Sequence, residues 1–261
     1  MKISSKIAII GGGAMGSAVA AGLVSSGKVA ASQITVSTPH PDRCSDLAAM
    51  GINVIVDNTE AVTGAALVVL AVKPWILPDV TNELTPCLDK RHTEVTAIVA
   101  GVTAHDLSHM WAGDAPSSLS IAMPNTAMRL GESMTFIVPV SGKPVLAMEI
   151  FSLLGKVMEI PERLLGGATA LASCGIAYAM RYVRAACEGG VELGFRASEA
   201  QDIVAQTLKG AVALLEEPGA HPETEIDKVT TPGGITIRGL NEMEKHGFTT
   251  AVISGLKISA K

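Results

Sequence analysis

Short apolar runs rich in β-branched residues alternate with amphipathic stretches along the first 160 residues of the chain. Each run is too short for a stable helix, so the pattern predicts strands. The eight predicted strands are Lys6–Ile10, Ile34–Thr38, Asn53–Val56, Leu67–Val72, Val95–Val99, Ser117–Ala122, Thr135–Val138 and Val157–Ile160. Helical periodicity between the early strands, as in Ala14–Ser26 and Asp42–Met50, favours an α/β fold with a doubly wound, largely parallel sheet.

After Pro161 the strand pattern ends and helical periodicity continues to the end of the chain. The segment Leu165–Phe195 predicts one long helix with an apolar surface nearly all round, which must be covered on most sides. Further helices are predicted at Ala197–Glu217, Gly234–His246 and Thr249–Ile258. These hardly supply that cover, so we expect a second subunit to supply it. The predicted domains are a sheet domain over residues 1–160 and a helical domain over residues 161–261.

Composition narrows the class of protein. Of the 261 residues, 48% are hydrophobic and 17% are charged, which favours a large buried core. The chain has 20 Lys and Arg residues, 25 Asp and Glu residues and no basic run, so no nucleic-acid partner is expected. The longest apolar run, Ala65–Val72, is far shorter than the roughly 20 residues of a membrane helix, so no membrane contact is expected.

Cysteine and histidine spacing bears on compartment and metal binding. The apolar run Ile7–Ile10 leads straight into glycines and does not resemble a secretory signal. The four cysteines form no CxxC pair, which indicates free thiols and a cytoplasmic protein. His105 and His109 have the i, i+4 spacing of helical metal ligands, but no third ligand is near them in sequence. Surface histidines are the better interpretation, and no metal site is predicted.

The segment Gly11–Gly16 follows the first predicted strand, opens a helix and fits the pattern G-x-G-x-x-G. Glycines there permit a tight turn and the close approach of a pyrophosphate to the helix N-terminus. Strand, loop, helix and second strand come in the required order, so the pattern predicts a dinucleotide site. The expected cofactor contacts in the loop are Gly11, Gly13, Ala14, Met15 and Gly16.

The end of the second strand bears on the choice of cofactor. An NAD site usually has Asp or Glu about 20 residues past the glycine loop, where the acid binds the ribose 2′-hydroxyl. Here the strand ends in Ser37 and Thr38, and Arg43 follows shortly after. Two hydroxyls and a cation suit a 2′-phosphate, so NADPH is favoured over NADH. Asp42 argues the other way, although it also fits the first turn of a helix.

Three further turns end the fourth, fifth and sixth predicted strands, at 71–74, 100–102 and 123–125. Ligands of open α/β sheets bind beyond the carboxyl ends of the strands. The three turns are therefore expected to outline a cleft. The cofactor contacts expected there are Ala71, Val72, Lys73, Pro74 and Ala100.

A second glycine-containing segment, Thr230–Thr236, lies directly before a predicted amphipathic helix in the C-terminal region. Unpaired backbone N–H groups at a helix start suit a carboxylate, and glycines let a ligand come close. Taken alone, the segment also fits an ordinary Pro-Gly helix entrance with a threonine cap. Both interpretations stay open on this segment alone.

Along essentially its whole length the chain resembles the pyrroline-5-carboxylate reductase family. The matching segments are GGGAMG at Gly11–Gly16, AVKP at Ala71–Pro74, AGV at Ala100–Val102, MPNT at Met123–Thr126, TPGGITI at Thr231–Ile237 and EKHGF at Glu244–Phe248. The segment starting at Thr231 is the most specific, because generic dinucleotide-binding proteins lack it. The family's GSGPAY segment occurs here as SCGIAY, with Ile176 in place of the proline.

The resemblance implies NAD(P)H-dependent reduction of 1-pyrroline-5-carboxylate to L-proline, the last step of proline biosynthesis. It also implies an N-terminal Rossmann domain and a helical domain that interlocks with its partner in a homodimer, often assembled further into a decamer. By this resemblance Thr236 hydrogen-bonds the ring nitrogen of the substrate, and Asn58 lies beside the adenine ribose. The backbone expected to hold the substrate carboxylate includes Thr231, Gly233, Gly234 and Ile235.

Two other functions fit parts of the pattern. Another Rossmann-plus-helical reductase, of the β-hydroxyacid dehydrogenase type, would use a lysine on a C-terminal helix as an acid, for which Lys209 is the candidate. A non-catalytic NADP-binding regulator would be consistent with the altered SCGIAY segment. A ketoacid screen and an assay of NADPH oxidation distinguish these functions from the first.

Overall fold

The computed structural model describes residues 4–111 and 114–260. It forms two compact units, which divide between Ser173 and Cys174. The domain boundary predicted from the sequence, after residue 160, lies earlier in the chain than this division. The first unit contains the sheet, and the second is helical.

The described residues form one eight-stranded sheet, with the strands in the order β3-β2-β1-β4-β5-β6-β7-β8. The strands are β1 Ile7–Ile10, β2 Ile34–Ser37, β3 Asn53–Ile55, β4 Leu67–Leu70, β5 Glu94–Ala97, β6 Ser118–Met123, β7 Ser133–Ser141 and β8 Gly155–Glu159. All pairs are parallel except β6 with β7, which a short connection joins in antiparallel register. All eight predicted strands are confirmed, with shifts of a few residues at their ends.

Helices follow most strands and make up the second unit. The helices are α1 Ala14–Ser25, α2 Ser45–Ala49, α3 Asn58–Val62, α4 Leu77–Leu84, α5 Ala104–His109, α6 Val145–Ser152, α7 Leu165–Ala168, α8 Gly175–Glu192, α9 Ala197–Leu215, α10 Pro222–Lys228, α11 Ile235–Lys245 and α12 Phe248–Ser259. Among the described residues, no helix is long and apolar enough to cross a lipid bilayer.

The apolar runs are strands because the sheet is covered on both faces. In β1, Ala8 and Ile10 lie in one hydrophobic cluster. Ile7 and Ile9, which point the other way, lie in a second cluster. Alternate residues of a strand face opposite sides of a sheet, so burial of both faces requires an unbroken apolar run.

The prediction of one uninterrupted helix over Leu165–Phe195 is wrong. A π-helical segment, Thr169–Cys174, separates α7 from α8, and α8 ends at Glu192. Small residues fit an α-helix and a π-helix alike, so the sequence pattern does not register this change. Two long-range hydrogen bonds join this segment to the residues after β6. Asn125 Nδ2 donates to the Ala172 carbonyl oxygen at 3.4 Å, and Ser173 Oγ donates to the Pro124 carbonyl oxygen at 3.3 Å.

The second unit has almost no core of its own. Among its described residues one side chain, Ala200, is buried. Ala200 packs so closely on α8 that a Cβ at Gly190 would lie 2.9 Å from its methyl group. Large apolar side chains are instead exposed on α8, α9, α11 and α12, including Tyr178, Met180, Val212, Ile235, Phe248 and Val252. Exposed apolar surface of this extent marks an interaction surface.

Candidate active site

A cleft of about 530 Å³ opens in the first unit beside the residues that follow β1, β2, β4 and β5. Since these strands are parallel, their carboxyl ends meet at one edge of the sheet, where open α/β sheets bind ligands. The cleft is lined by Gly11, Gly12, Gly13, Ala14, Met15, Thr38, Pro39, His40, Arg43, Ala71, Val72, Lys73, Pro74, Ile76, Ile98, Val99 and Ala100.

Backbone hydrogen bonds fix the loops that form the cleft. The parallel ladder continues one residue beyond the strands, so that the first residue of each loop is still held by its neighbour. Three such bonds, each 2.8 Å long, join Gly11 N–H to the Ser37 carbonyl, Ala71 N–H to the Ile10 carbonyl and Ile98 N–H to the Leu70 carbonyl. The loops therefore take their position from the sheet.

Two glycines of the loop are required because a Cβ at either position would meet main-chain atoms. Gly11 has φ +111°, and a Cβ there would lie 2.5 Å from the Ala71 carbonyl oxygen. A Cβ at Gly16 would collide with the carbonyl oxygen of Gly11. Gly16 is buried and does not line the cleft. These two positions thus secure the shape of the loop.

Gly13 is a glycine for a different reason. Its φ of −75° suits any residue, and a Cβ at this position would meet no atom within 4 Å. Gly13 caps α1 without any side-chain hydrogen bond, so the first N–H groups of the helix stay free at Ala14 and Met15 in the cleft. Open space and free N–H groups at a helix N-terminus fit the pyrophosphate of a dinucleotide.

Ser37 and Thr38, which the sequence treats alike, differ in position. Ser37 is buried and absent from the cleft lining, and its hydroxyl lies 2.6 Å from Asn58 Oδ1 and 3.1 Å from the Val56 carbonyl oxygen. Thr38 lines the cleft, where its Oγ1 accepts the N–H of His40 at 3.3 Å. A hydroxyl has one proton to donate, so that of Thr38 is available to a ligand.

Two basic side chains, His40 and Arg43, share this end of the cleft with Thr38. Neither Asp nor Glu occurs among the cleft-lining residues, and Asp42, which argued for NADH, lies outside the lining. Arg43 is among the residues that the sequence indicates, whereas His40 is not. Its position directly after a strand end, at the edge where ligands bind, is the signal that could have found it.

The turn at 123–125 does not line the cleft, so the expectation that it helps to outline it is wrong. Asn125 instead accepts the N–H of Ala127 at 3.0 Å and donates to Ala172 in the π-helical segment. Of the fifth-strand turn, Ala100 lines the cleft, whereas Val102 is buried in the core. The remaining turn, 71–74, lines the cleft with all four of its residues.

In the second unit, Thr231 to Gly234 form a β-turn before α11. The Gly234 N–H donates to the Thr231 carbonyl oxygen at 2.9 Å, and Gly233 has φ +69°. Proline followed by a glycine with positive φ is the pattern of a type II turn. Gly234 is the N-cap of α11 and has no side-chain cap, so the threonine-cap interpretation is wrong. The first N–H groups of α11 are unpaired beside the exposed Thr236.

The predicted site residues thus form two groups, one in each unit. The cleft collects the loop residues Gly11, Gly13, Ala14 and Met15 with Thr38, Ala71, Val72, Lys73, Pro74 and Ala100. The turn and first residues of α11 collect Thr231, Gly233, Gly234, Ile235 and Thr236. Gly16, Ser37 and Asn58 are not among the residues that line the cleft.

A glycine loop at the edge of a Rossmann sheet defines the general class, a dinucleotide-binding protein. Family models agree with this class. Residues 6–100 match the model described as NADP oxidoreductase coenzyme F420-dependent. Residues 162–261 match the model described as pyrroline-5-carboxylate reductase dimerisation, which supports a homo-oligomer.

Relatives cover the whole chain. It is 34% identical to pyrroline-5-carboxylate reductase 2 of Dictyostelium discoideum, over 100% of this chain and 93% of the relative. It is 35% identical to pyrroline-5-carboxylate reductase of Synechocystis, over 98% of this chain and 96% of the relative. The chain belongs to the pyrroline-5-carboxylate reductase family.

Solved structures agree with this assignment. The chain is similar to Plasmodium falciparum pyrroline carboxylate reductase with NADP bound, with a TM-score of 0.88 and 25% identity over 100% of this chain and 97% of that one. It is similar to a pyrroline-5-carboxylate reductase from Coxiella burnetii, with a TM-score of 0.89 and 26% identity over 99% and 97% of the two chains.

The two classes of glycine in the loop give a testable difference. We expect Gly13→Ala to weaken NADPH binding by at least about tenfold while leaving Tm near the wild-type value, since the added methyl group enters open cleft space. Gly16→Ala, the matched control, should lower Tm because its methyl group meets the Gly11 carbonyl. Fluorescence titration and thermal melts measure both effects. Wild-type NADPH affinity in Gly13→Ala would contradict the assignment of this cleft to the pyrophosphate.

Proposed function

We propose that this chain reduces 1-pyrroline-5-carboxylate to L-proline with NADPH, by means of the cleft in the first unit and the turn before α11. The observation that carries the proposal is the uncapped Pro-Gly-Gly turn on α11 in a member of this family. When bound, NADPH supplies the hydride that reduces the carbon–nitrogen double bond. The chain's own residues bind and orient the cofactor and the substrate, and they donate a hydrogen bond to the substrate.

In the cleft, the N–H groups at the start of α1 hold the pyrophosphate, and the 71–74 turn and Ala100 line the remainder of the cofactor site. Thr38, His40 and Arg43 bind the 2′-phosphate through one hydroxyl and two basic groups. Ser37 supports this contact from behind, and Asn58, to which the Ser37 hydroxyl donates, adds an amide N–H beside the adenine ribose. A cleft lining with basic side chains and no acid favours NADPH over NADH.

At the turn before α11, backbone N–H groups bind the substrate carboxylate. The segment proposed to hold it includes Thr231, Gly233, Gly234 and Ile235. Because the Gly234 N–H closes the turn, the free N–H groups offered to the carboxylate begin at Ile235. Thr236, the second residue of α11, donates its hydroxyl proton in a hydrogen bond to the ring nitrogen. This bond strengthens as the imine nitrogen becomes an amine, so it stabilises the transition state more than the ground state.

Assembly and location complete the proposal. The exposed apolar faces of the second unit support an interlocked homodimer. Further assembly of this dimer into a decamer is part of the proposal. The free thiols of the described residues, at Cys44, Cys87, Cys174 and Cys187, are consistent with a reducing compartment, and we propose a cytoplasmic enzyme.

Oxidation of NADPH in the presence of 1-pyrroline-5-carboxylate tests the activity. We expect L-proline to form in step with NADPH loss and kcat/KM to be higher with NADPH than with NADH. Absorbance at the nicotinamide band measures the loss of NADPH, and amino-acid analysis measures the L-proline formed. Cofactor binding without turnover would indicate a regulator, and turnover of a ketoacid alone would indicate a β-hydroxyacid reductase.

Thr236→Ala tests the hydrogen bond to the ring nitrogen. A bond of this kind is worth roughly 1–3 kcal/mol, so kcat and kcat/KM should fall together by about tenfold to a hundredfold. Thr236→Ser keeps the hydroxyl and should recover most of the activity. Steady-state kinetics and thermal melts distinguish this role from a structural one. Wild-type kcat in Thr236→Ala would remove this side chain from the mechanism.

Ala177→Arg tests the proposed dimer. Ala177 lies on α8 and is exposed in the single chain, so a charge there should break the association by entering an apolar interface. Ala48→Arg, an exposed alanine of α2 in the first unit, is the control and should leave the assembly intact. Light scattering measures the mass of each variant. A stable wild-type monomer at micromolar concentration would rule out the interlocked dimer.

A further inference from the structure

Three polar side chains form a hydrogen-bonded chain that starts at the end of β2, next to the cleft-lining Thr38. The Ser37 hydroxyl donates to Asn58 Oδ1 at 2.6 Å, and Asn58 Nδ2 donates to Glu83 Oε2 at 2.8 Å. The chain connects β2, the first residue of α3 and the last turn of α4. Glu83 is 25 residues from Asn58 in sequence and has no part in the site derived above.

The chemistry of Glu83 determines how the Asn58 amide is oriented. A carboxylate only accepts hydrogen bonds, so the amide must turn its nitrogen toward Glu83 and its oxygen toward Ser37. Ser37, buried and 1% exposed, then has to donate its single proton to a carbonyl acceptor. The polarity of all three groups therefore follows from the one acidic side chain at the end of the chain.

The backbone of Asn58 is fixed as well. Asp57 caps α3 by accepting the N–H groups of Thr59 at 2.8 Å and Glu60 at 3.0 Å. The Thr59 hydroxyl, followed by these N–H groups, lowers the pKa of Asp57, so the cap stays ionised at neutral pH. Asn58 is thus held through its main chain by Asp57 and through its side chain by Glu83.

We propose that Glu83 is a positioning residue for the adenosine half of NADPH. Nδ2 of Asn58 has two N–H groups, and the bond to Glu83 uses one of them. The other is available to an oxygen of the adenosine ribose or its 2′-phosphate, beside Thr38. Glu83 keeps that N–H in place by preventing the amide from turning over. This inference rests on the proposed function, since it requires a dinucleotide in the cleft.

Two substitutions separate hydrogen bonding from charge. Glu83 is exposed on α4 and alanine is a good helix former, so Glu83→Ala should fold. It removes the acceptor together with a negative charge. Glu83→Gln removes the charge and keeps an oxygen that can accept from Asn58. Loss of charge alone would tighten binding of a 2′-phosphate, whereas loss of the acceptor should weaken it, so the two effects have opposite signs.

The test uses adenosine 2′,5′-bisphosphate, which contains the adenosine half of NADPH without the nicotinamide, and NADPH itself. We expect Glu83→Ala to raise Kd for both by about threefold to tenfold, as the loss of one hydrogen bond predicts, while kcat is unchanged. Glu83→Gln should stay within about twofold of wild type. Glu60→Ala is the matched control: this neighbouring acid of α3 makes no side-chain hydrogen bond to Asn58 among the described residues, and its loss should not weaken binding.

Calorimetric titration gives each Kd without turnover, which keeps the outcomes distinct. If wild type binds neither probe, the proposed function itself is wrong. If wild type binds both but Glu83→Ala binds them equally well or more tightly, the positioning role of Glu83 is wrong and the cofactor site stands. Equal weakening in Glu83→Ala and Glu83→Gln would also overturn the role, because Glu83→Gln keeps the acceptor for Asn58 and should therefore keep the affinity.

Discussion

The hydrogen-bond ladder that continues past the ends of β1, β4 and β5 is the interaction on which the cleft depends. Because Gly11 and Ala71 are still held by neighbouring strands, their backbones are brought so close that a side chain at position 11 has no room. The same ladder leaves the first turn of α1 uncapped and facing open space at Gly13. The loops that line the cleft therefore take their shape from main-chain contacts with the sheet.

Much of the fold is predictable because burial on both faces leaves a strong trace in the sequence. Unbroken apolar runs such as β1 and β4 fill two separate clusters at once, and all eight strands follow from this pattern. The π-helical segment Thr169–Cys174 leaves no such trace. Its hydrogen bonds go to Pro124 and Asn125, which are distant in sequence. Its small residues fit either type of helix.

The residues of the candidate site likewise divide into those that the sequence indicates and those that it does not. The backbone requires glycine at Gly11 and Gly233, where φ is positive. These glycines make the loop and the turn before α11 recognisable in the sequence. Alternation along β2 could also have separated Ser37 from Thr38, since successive residues of a strand point in opposite directions. Glu83 had no such signal: it meets Asn58 only where α3 and α4 pack together.

The nearly coreless second unit makes stability a matter of mass action. Ala200 is the one buried side chain among the described residues of this unit, so covering its large apolar side chains is left to association. The free energy of unfolding of such a homo-oligomer depends on protomer concentration, so Tm rises as more chains are present. A newly synthesised chain then remains vulnerable to proteolysis until it meets another copy.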